Sequence, residues 1–309
     1  MQIFCGVDVA KAWLDAWTEA AGHRRFENDA QGVSALAAWC RDQAVALVVM
    51  EASGGIEQAA FLSLWQAGQA CAIANPRAVR SFALAMGALE KTDRIDAKMI
   101  AGYAAARRLV PTPPPCEDQL RLTALAGRMR QIAQDLSVQK QRLHSANDPT
   151  VRASILEVIA FLTGQAKALS TQIAALVAAD PMWDALDRTI RSVKGCADRT
   201  VAVLLADLPE LGTLSNKAIA KLVGLAPIAN DSGTRQGRRS IRGGRASVRS
   251  ILFLVAEVAR KYDASLADFR QRLVDQGKPK MVIRIALARK LLVRLNAKAR
   301  DTRNTLATS

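Results

Sequence analysis

Ile3-Phe4-Cys5-Gly6-Val7-Asp8-Val9 is a short apolar run with one carboxylate near its end, and it reads as a buried strand. Outward from it, Trp13-Leu14-Asp15-Ala16-Trp17 alternates apolar and polar residues, as the second strand of an antiparallel hairpin does. His23 to Asn28 supplies a third strand, and Ala30 to Arg41 has helical spacing at Val33, Leu36 and Ala37. Ala44 to Met50 (AVALVVM) is β-branched and apolar throughout, which predicts a central strand covered on both faces. Glu51 follows it directly. Ser53-Gly54-Gly55 then breaks the chain before a helix over Ile56 to Ala67 and a strand over Ala70 to Ala74. Helices are expected over Pro76 to Met86 and over Asp96 to Arg107.

Three strands, helix, strand, helix, strand and helices is the order of an RNase H-like fold, in which an antiparallel meander joins parallel strands flanked by helices. In that arrangement Asp8 and Glu51 end neighbouring strands. A carboxylate there is costly unless it is paired, capped or bound to metal. Met86 to Met99, MGALEKTDRIDAKM, adds a second pair, Asp93 and Asp96, whose i, i+3 spacing puts both on one helix face. A lone DxxD is ordinary solvated helix surface. What sets this one apart is the prospect that it meets Asp8 and Glu51.

Beyond this region, Pro111-Thr112-Pro113-Pro114-Pro115 is a stiff extended linker. Leu122, Leu125, Met129, Ile132, Leu136 and Leu143, then Ile155, Ile159, Leu162, Ala166, Leu169, Ile173 and Leu176, make two apolar stripes on either side of a break at Ser145 to Pro149. They predict an antiparallel coiled-coil hairpin roughly 40 Å long, buried against itself and against another protomer. Ser192-Val193-Lys194-Gly195-Cys196-Ala197 introduces helices over Asp198 to Ala206 and Asn216 to Val223, and resembles a helix-hairpin-helix. In that motif a glycine turn, here Lys194 and Gly195, aims backbone N–H groups at a DNA phosphate. The expected organisation is an α/β domain over 1–110, linker and hairpin over 111–182, and a helical domain over 183–309.

Of the 309 residues half are hydrophobic, and the net charge is +15. Residues 231–309 hold 19 Lys and Arg against 6 Asp and Glu, so nearly all the excess lies at that end. Such polarity points to a polyanion, nucleic acid above all. Leu225 to Gly244 is a glycine-rich polar loop holding Ser232-Gly233-Thr234, and Arg235, Arg238, Arg239, Arg242, Arg245 and Arg249 lie in it and just beyond. Arginines among glycines let a backbone approach and neutralise phosphates. Helices over Val248 to Lys261 and Pro279 to Lys298 carry further arginines, among them Arg284, Arg289 and Arg294.

Five scattered cysteines without a CxxC pair predict reduced thiols and a cytoplasmic protein without a leader, and the apolar runs are too short to cross a membrane. Two isolated histidines supply neither zinc chemistry nor a histidine-based nuclease. No GxxxxGK[ST] motif is present, so ATP-driven work is not indicated.

GVDVAK around Asp8, VVMEASGG around Glu51, ANPRAVRSFA from Ala74, KTDRIDAKM around Asp93 and Asp96, and LAPIANDSGT followed by RSIRGGRASVR occur in one order along nearly the whole chain. In these motifs the chain resembles the DEDD transposases of the insertion sequences that are related to Piv-type DNA invertases and guided by a bridge RNA. One departure is Lys194, where proline is commoner. The resemblance implies a RuvC-like first domain in which Asp8, Glu51, Asp93 and Asp96 bind one or two Mg²⁺, and a nucleophilic serine at Ser232. It also implies double-stranded donor and target DNA as substrates, a structured guide RNA, and dimers or tetramers with sites shared between protomers. On composition alone Ser240 and Ser247 rival Ser232. Two other readings stay open at this stage: a RuvC-like structure-selective nuclease using metal-activated water, and a non-enzymatic nucleic-acid-binding protein.

Overall fold

The computed structural model describes residues 2–88, 90, 92–235, 237 and 239–308. It divides into two compact units at Pro115, within the proline-rich segment. Among the described residues it is a mixed α/β protein with one five-stranded mixed sheet and twelve helices.

The first unit holds β1 (Ile3–Val9), β2 (Trp13–Thr18), β3 (Gly22–Glu27), α1 (Ala30–Asp42), β4 (Val45–Glu51), α2 (Glu57–Gln66), β5 (Cys71–Ala74), α3 (Pro76–Ala85) and α4 (Asp93–Arg107). The sheet order is β3-β2-β1-β4-β5. β1 runs antiparallel to β2 and parallel to β4, and β5 extends the parallel half. An antiparallel meander joined to parallel strands, with β1 beside β4, is the arrangement expected from the sequence. Alternation along the strands separates two cores. Cys5, Val7, Leu14, Ala16, Val48 and Met50 pack with α1 and α2 through Leu36, Phe61 and Leu64. Leu47, Val49, Ala72 and Ala74 pack on the opposite face with Val79 of α3 and Ile100 and Ala104 of α4. Helices therefore cover both faces of β4, which explains its unbroken apolar run.

Alternation puts Gly6 and Asp8 on the α4 face of β1, and Glu51 on the same face of β4. A Cβ on Gly6 would lie 2.1 Å from the Ala97 carbonyl oxygen and 2.4 Å from the Ala101 nitrogen. Only glycine lets α4 rest directly on β1. The helix starts at Asp93, three residues earlier than the spacing predicts, because Thr92 caps it by accepting a 3.3 Å bond from the Ile95 amide.

The second unit is helical: α5 (Glu117–Ser145), α6 (Pro149–Ala179), α7 (Pro181–Arg191), α8 (Asp198–Asp207), α9 (Asn216–Val223), α10 (Ala246–Ala259), α11 (Ala264–Asp275) and α12 (Lys280–Thr308). Every residue of α8 from Thr200 to Ala206 is buried. Around it gather Leu122 and Met129 of α5, Ile173 and Val177 of α6, Leu186 and Ile190 of α7, Leu252 of α10 and Leu291 of α12. Asp148 caps α6 with Pro149 in its first turn, which ends α5 and reverses the chain. α5 and α6 pack against each other, and the foot of the pair belongs to this core. Toward the tip Val138, Val151, Leu156, Val158 and Phe161 are exposed.

Two helices, α7 and α11, were not expected, and α12 runs ten residues past Lys298. Both are short and amphipathic, and they bury Leu186 and Ile190 of α7 and Leu266 of α11 in the core of this unit. Among the described residues no helix is long and apolar enough to cross a membrane.

Candidate active site and nucleic-acid surface

Asp8 and Glu51 reach the α4 face from the ends of adjacent parallel strands, and Asp93 and Asp96 occupy the first turn of α4. Burial raises the Asp8 carboxyl from 3.8 to about 6, and the charges of Asp96, Asp93, Glu51 and Asp15 push it the same way, in that order. The three other predicted acids thus act on one half-buried carboxylate. The positive end of α4 favours the two acids in its first turn. Among the described residues these side chains are not gathered into a ready cage of three or more ligands. The fold supplies four hard oxygen donors converging on one face, which is the donor chemistry Mg²⁺ takes.

Sequence reading missed three residues here. Asp15 lies directly opposite Asp8 in the β1–β2 register and is 1% exposed. His23 Nε2 stands 2.7 Å from it, and Arg25 donates to both its oxygens, from Nε at 2.9 Å and Nη2 at 3.0 Å. The same Nη2 donates to Asp93 Oδ2 at 3.2 Å. Arg25 therefore neutralises a buried carboxylate and ties β3 to the first turn of α4. The alternating strand pattern contained the signal: the β2–β3 register pairs Asp15 with Arg25. A buried acid facing an arginine across two strands could have been read from that register.

In the second unit the serine loop is a small hairpin. Ser232 and Arg235 exchange backbone bonds of 3.0 and 2.9 Å around Gly233-Thr234, with Gly233 at φ +53°. Ser232 is exposed. Beside it Asp231 accepts a 3.1 Å bond from the Gly237 amide and a 3.5 Å contact from Arg239 Nη2. Ser240 pairs with Ile228 at the foot of the loop, and Ser247 lies in the first turn of α10.

The predicted arginines divide. Arg235 and Arg242 are exposed and make no bond or ion pair through their side chains among the described residues, and Arg239 is held only by Asp231. Arg245 is committed inward: both its terminal nitrogens bond Glu210, and one reaches the Asp207 carbonyl at 3.0 Å. This pairing helps hold the Glu210 carboxyl below its ordinary range against the opposing effect of burial. Arg249 Nη1 donates to the carbonyls of Gly243 (2.6 Å) and Val223 (3.2 Å). A Cβ on Gly244 would lie 2.3 Å from the Gly224 nitrogen, so these two backbones touch and the loop returns close to the end of α9. Arg238 lies outside the described residues. Lys194 is exposed, and Gly195, at φ +97°, packs against Val258 in the turn between α7 and α8. Arg284 and Arg294 pair with Glu257 and Asp263.

Comparison with known proteins matches both units. Residues 5–148, which include all four acids, match the profile of the DEDD transposases of the IS110 group, described as transposase. Residues 187–271, which include the serine hairpin, match the profile described as transposase of the IS116/IS110/IS902 family. Two curated relatives carry the name pilin gene-inverting protein. The one from Moraxella bovis is 27% identical over 314 residues, covering 97% of this chain and 96% of its own. The one from Moraxella lacunata is 26% identical over 318 residues with the same coverage. Across both units, then, the chain is similar to transposases of the IS110 family, and over nearly its whole length to the two pilin gene-inverting proteins.

Proposed function

We propose that the protein cuts and rejoins double-stranded DNA of an insertion sequence through four carboxylates, Asp8, Glu51, Asp93 and Asp96, and the nucleophile Ser232. The observation that carries this reading is the convergence of the other three acids on Asp8, with α4 seated on β1 at Gly6.

Mg²⁺, when bound, supplies the positive charge that phosphoryl transfer needs at the attacking and leaving oxygens. The four carboxylates would hold it, two from strand ends and two from a helix turn capped by Thr92. Ser232 Oγ attacks the phosphorus of a strand. Its bond to phosphorus forms as the bond to one sugar oxygen breaks; the serine proton passes to a carboxylate and the leaving oxygen takes one up as a hydroxyl. Rejoining reverses these steps on a second strand end. The covalent link conserves the phosphodiester, so no ATP is needed, in keeping with a sequence that lacks a P-loop.

Arg235, Arg239 and Arg242, with Lys194 and Gly195 at a helix-hairpin-helix turn, contact phosphates, whereas Arg245 and Arg249 shape the loop. A structured RNA guides the choice of DNA, and the basic last 79 residues suit both polyanions. The α5–α6 pair is an antiparallel coiled-coil arm through which dimers or tetramers form, using the exposed apolar residues at its tip.

The test is to incubate protein with labelled donor DNA, guide RNA and Mg²⁺, then denature. A covalent protein–DNA adduct is expected, absent in Ser232→Ala of intact fold. Cleavage with no adduct in the wild type would transfer the chemistry to water and refute the serine role. Asp8→Ala is expected to abolish cleavage while leaving RNA binding near wild type.

A further inference from the structure

We propose that Trp13 and Arg25 form a binding site for one unpaired nucleotide at the rim of the carboxylate cluster, the base stacking on the indole and the phosphate taken by the guanidinium. This deepens the recombinase reading and rests on it for the site's role, though not for its existence.

Trp13 opens β2 and is 42% exposed. It belongs to neither apolar core of its unit, so the fold leaves a sizeable part of an aromatic surface in water. Strand alternation puts Trp13, Asp15 and Trp17 on one face. That face is the one α4 covers, since Lys98 of α4 lies 5.9 Å from the Trp17 ring centroid. Trp17 is thus roofed by the helix, while Trp13 stands at the opposite end of the strand. There its carbonyl accepts from the Ala10 amide, two residues beyond Asp8. Trp13 and the acids share one end of one sheet face.

Arg25 joins the two. Its guanidinium carbon lies 5.8 Å from the Trp13 ring centroid. Asp15 grips Nε and Nη2, and Asp93 shares Nη2, so the group is oriented from below by a carboxylate that is buried. Nη1 makes no bond among the described residues, and the side chain is 46% exposed. A fixed guanidinium with a spare pair of N–H donors beside an exposed indole matches a nucleotide in both its parts: anionic phosphate and flat base. Bases inside a duplex are stacked on one another and present no free face. The ligand is therefore a base that has left its pair, as at a nick, an overhang or a strand being exchanged.

The experiment uses the full-length protein in Ca²⁺ and two oligonucleotides, a duplex with a single-stranded overhang carrying 2-aminopurine and the same sequence as a blunt duplex. Wild type is expected to quench 2-aminopurine in the overhang and to bind it more tightly than the blunt duplex. Trp13→Ala should lose the quenching and weaken overhang binding by about 5- to 100-fold, with an unchanged salt slope. Trp13→Phe should keep most of both, and Arg25→Gln should lower the salt slope by about one. Circular dichroism on each variant verifies the fold. Unchanged overhang binding in Trp13→Ala, or an equal loss on the blunt duplex, overturns the proposal. If that occurs while wild type still forms the Ser232 adduct, the nucleotide site falls and the recombinase reading stands. Overhang binding through Trp13 with no wild-type adduct is the reverse outcome.

Discussion

Asp8→Asn should make the metal-free protein more stable and inactive at once. In the folded chain the Asp8 carboxyl titrates at about 6 against 3.8 in an unperturbed side chain. The folded state therefore binds this proton more tightly than the unfolded state. Stability from this group is fully present below about pH 4 and is lost as pH rises through 6. Each tenfold shift in proton affinity corresponds to about 1.4 kcal/mol, so an ionised Asp8 costs up to about 3 kcal/mol above pH 7, shared across the coupled carboxylates. Asparagine keeps the shape and removes the charge. Four of the five tryptophans (Trp13, Trp17, Trp39, Trp65) lie in the first 115 residues, so indole fluorescence reports mainly on that unit. Melting followed by fluorescence in EDTA at pH 8 should show Asp8→Asn higher by several degrees, with the gap closing at pH 4. Saturating Mg²⁺ should then stabilise wild type and not the variant. A variant no more stable than wild type at pH 8, or a gap independent of pH, would refute the claim that the acids crowd this carboxylate.

Gly6→Ala drives a methyl into the Ala97 carbonyl and the Ala101 nitrogen, and should cost about 1–3 kcal/mol in urea unfolding of the first unit. Equal midpoints would mean that α4 does not rest on β1. Arg25→Ala leaves Asp15 buried with His23 as its remaining partner, and should destabilise by about 1–3 kcal/mol, read from the same fluorescence transition. Arg245→Ala and Arg242→Ala should separate: the first lowers the melting temperature of the second unit, the second lowers nucleic-acid affinity and its salt slope by about one without changing stability. Identical effects of the two would overturn the division between structural and exposed arginines. Leu204→Ala, at a fully buried position of α8, should cost about 2–5 kcal/mol by denaturant titration monitored by circular dichroism.

The first unit was legible because its signals are local. Apolar runs of strand length, a meander of alternating residues and glycine breaks follow one another in a single order, and that order admits few topologies. The second unit was less legible. α7 and α11 are short, and each is held by packing on α12, which lies outside the sequence window of either helix. The helix start at Asp93 was misplaced because the deciding contact, Thr92 to the Ile95 amide, competes with the apolar spacing that begins further on.

Asp8, Glu51, Asp93, Asp96 and Ser232 were marked by residue type and motif, and an arginine-rich loop by composition. Chemistry of that kind is written one residue at a time. Which charges face each other is not: cross-strand register made Asp15 a buried neighbour of Asp8 and put Arg25 opposite it, and the seating of α4 brought Asp93 to Arg25. Packing likewise separated Arg245 and Arg249, spent on Glu210 and on backbone carbonyls, from Arg235 and Arg242, which face solvent. The physical reason is range. Periodicity and residue chemistry act within a few positions, whereas the charge felt by a carboxylate depends on groups brought within a few ångströms by strands and helices tens of residues apart.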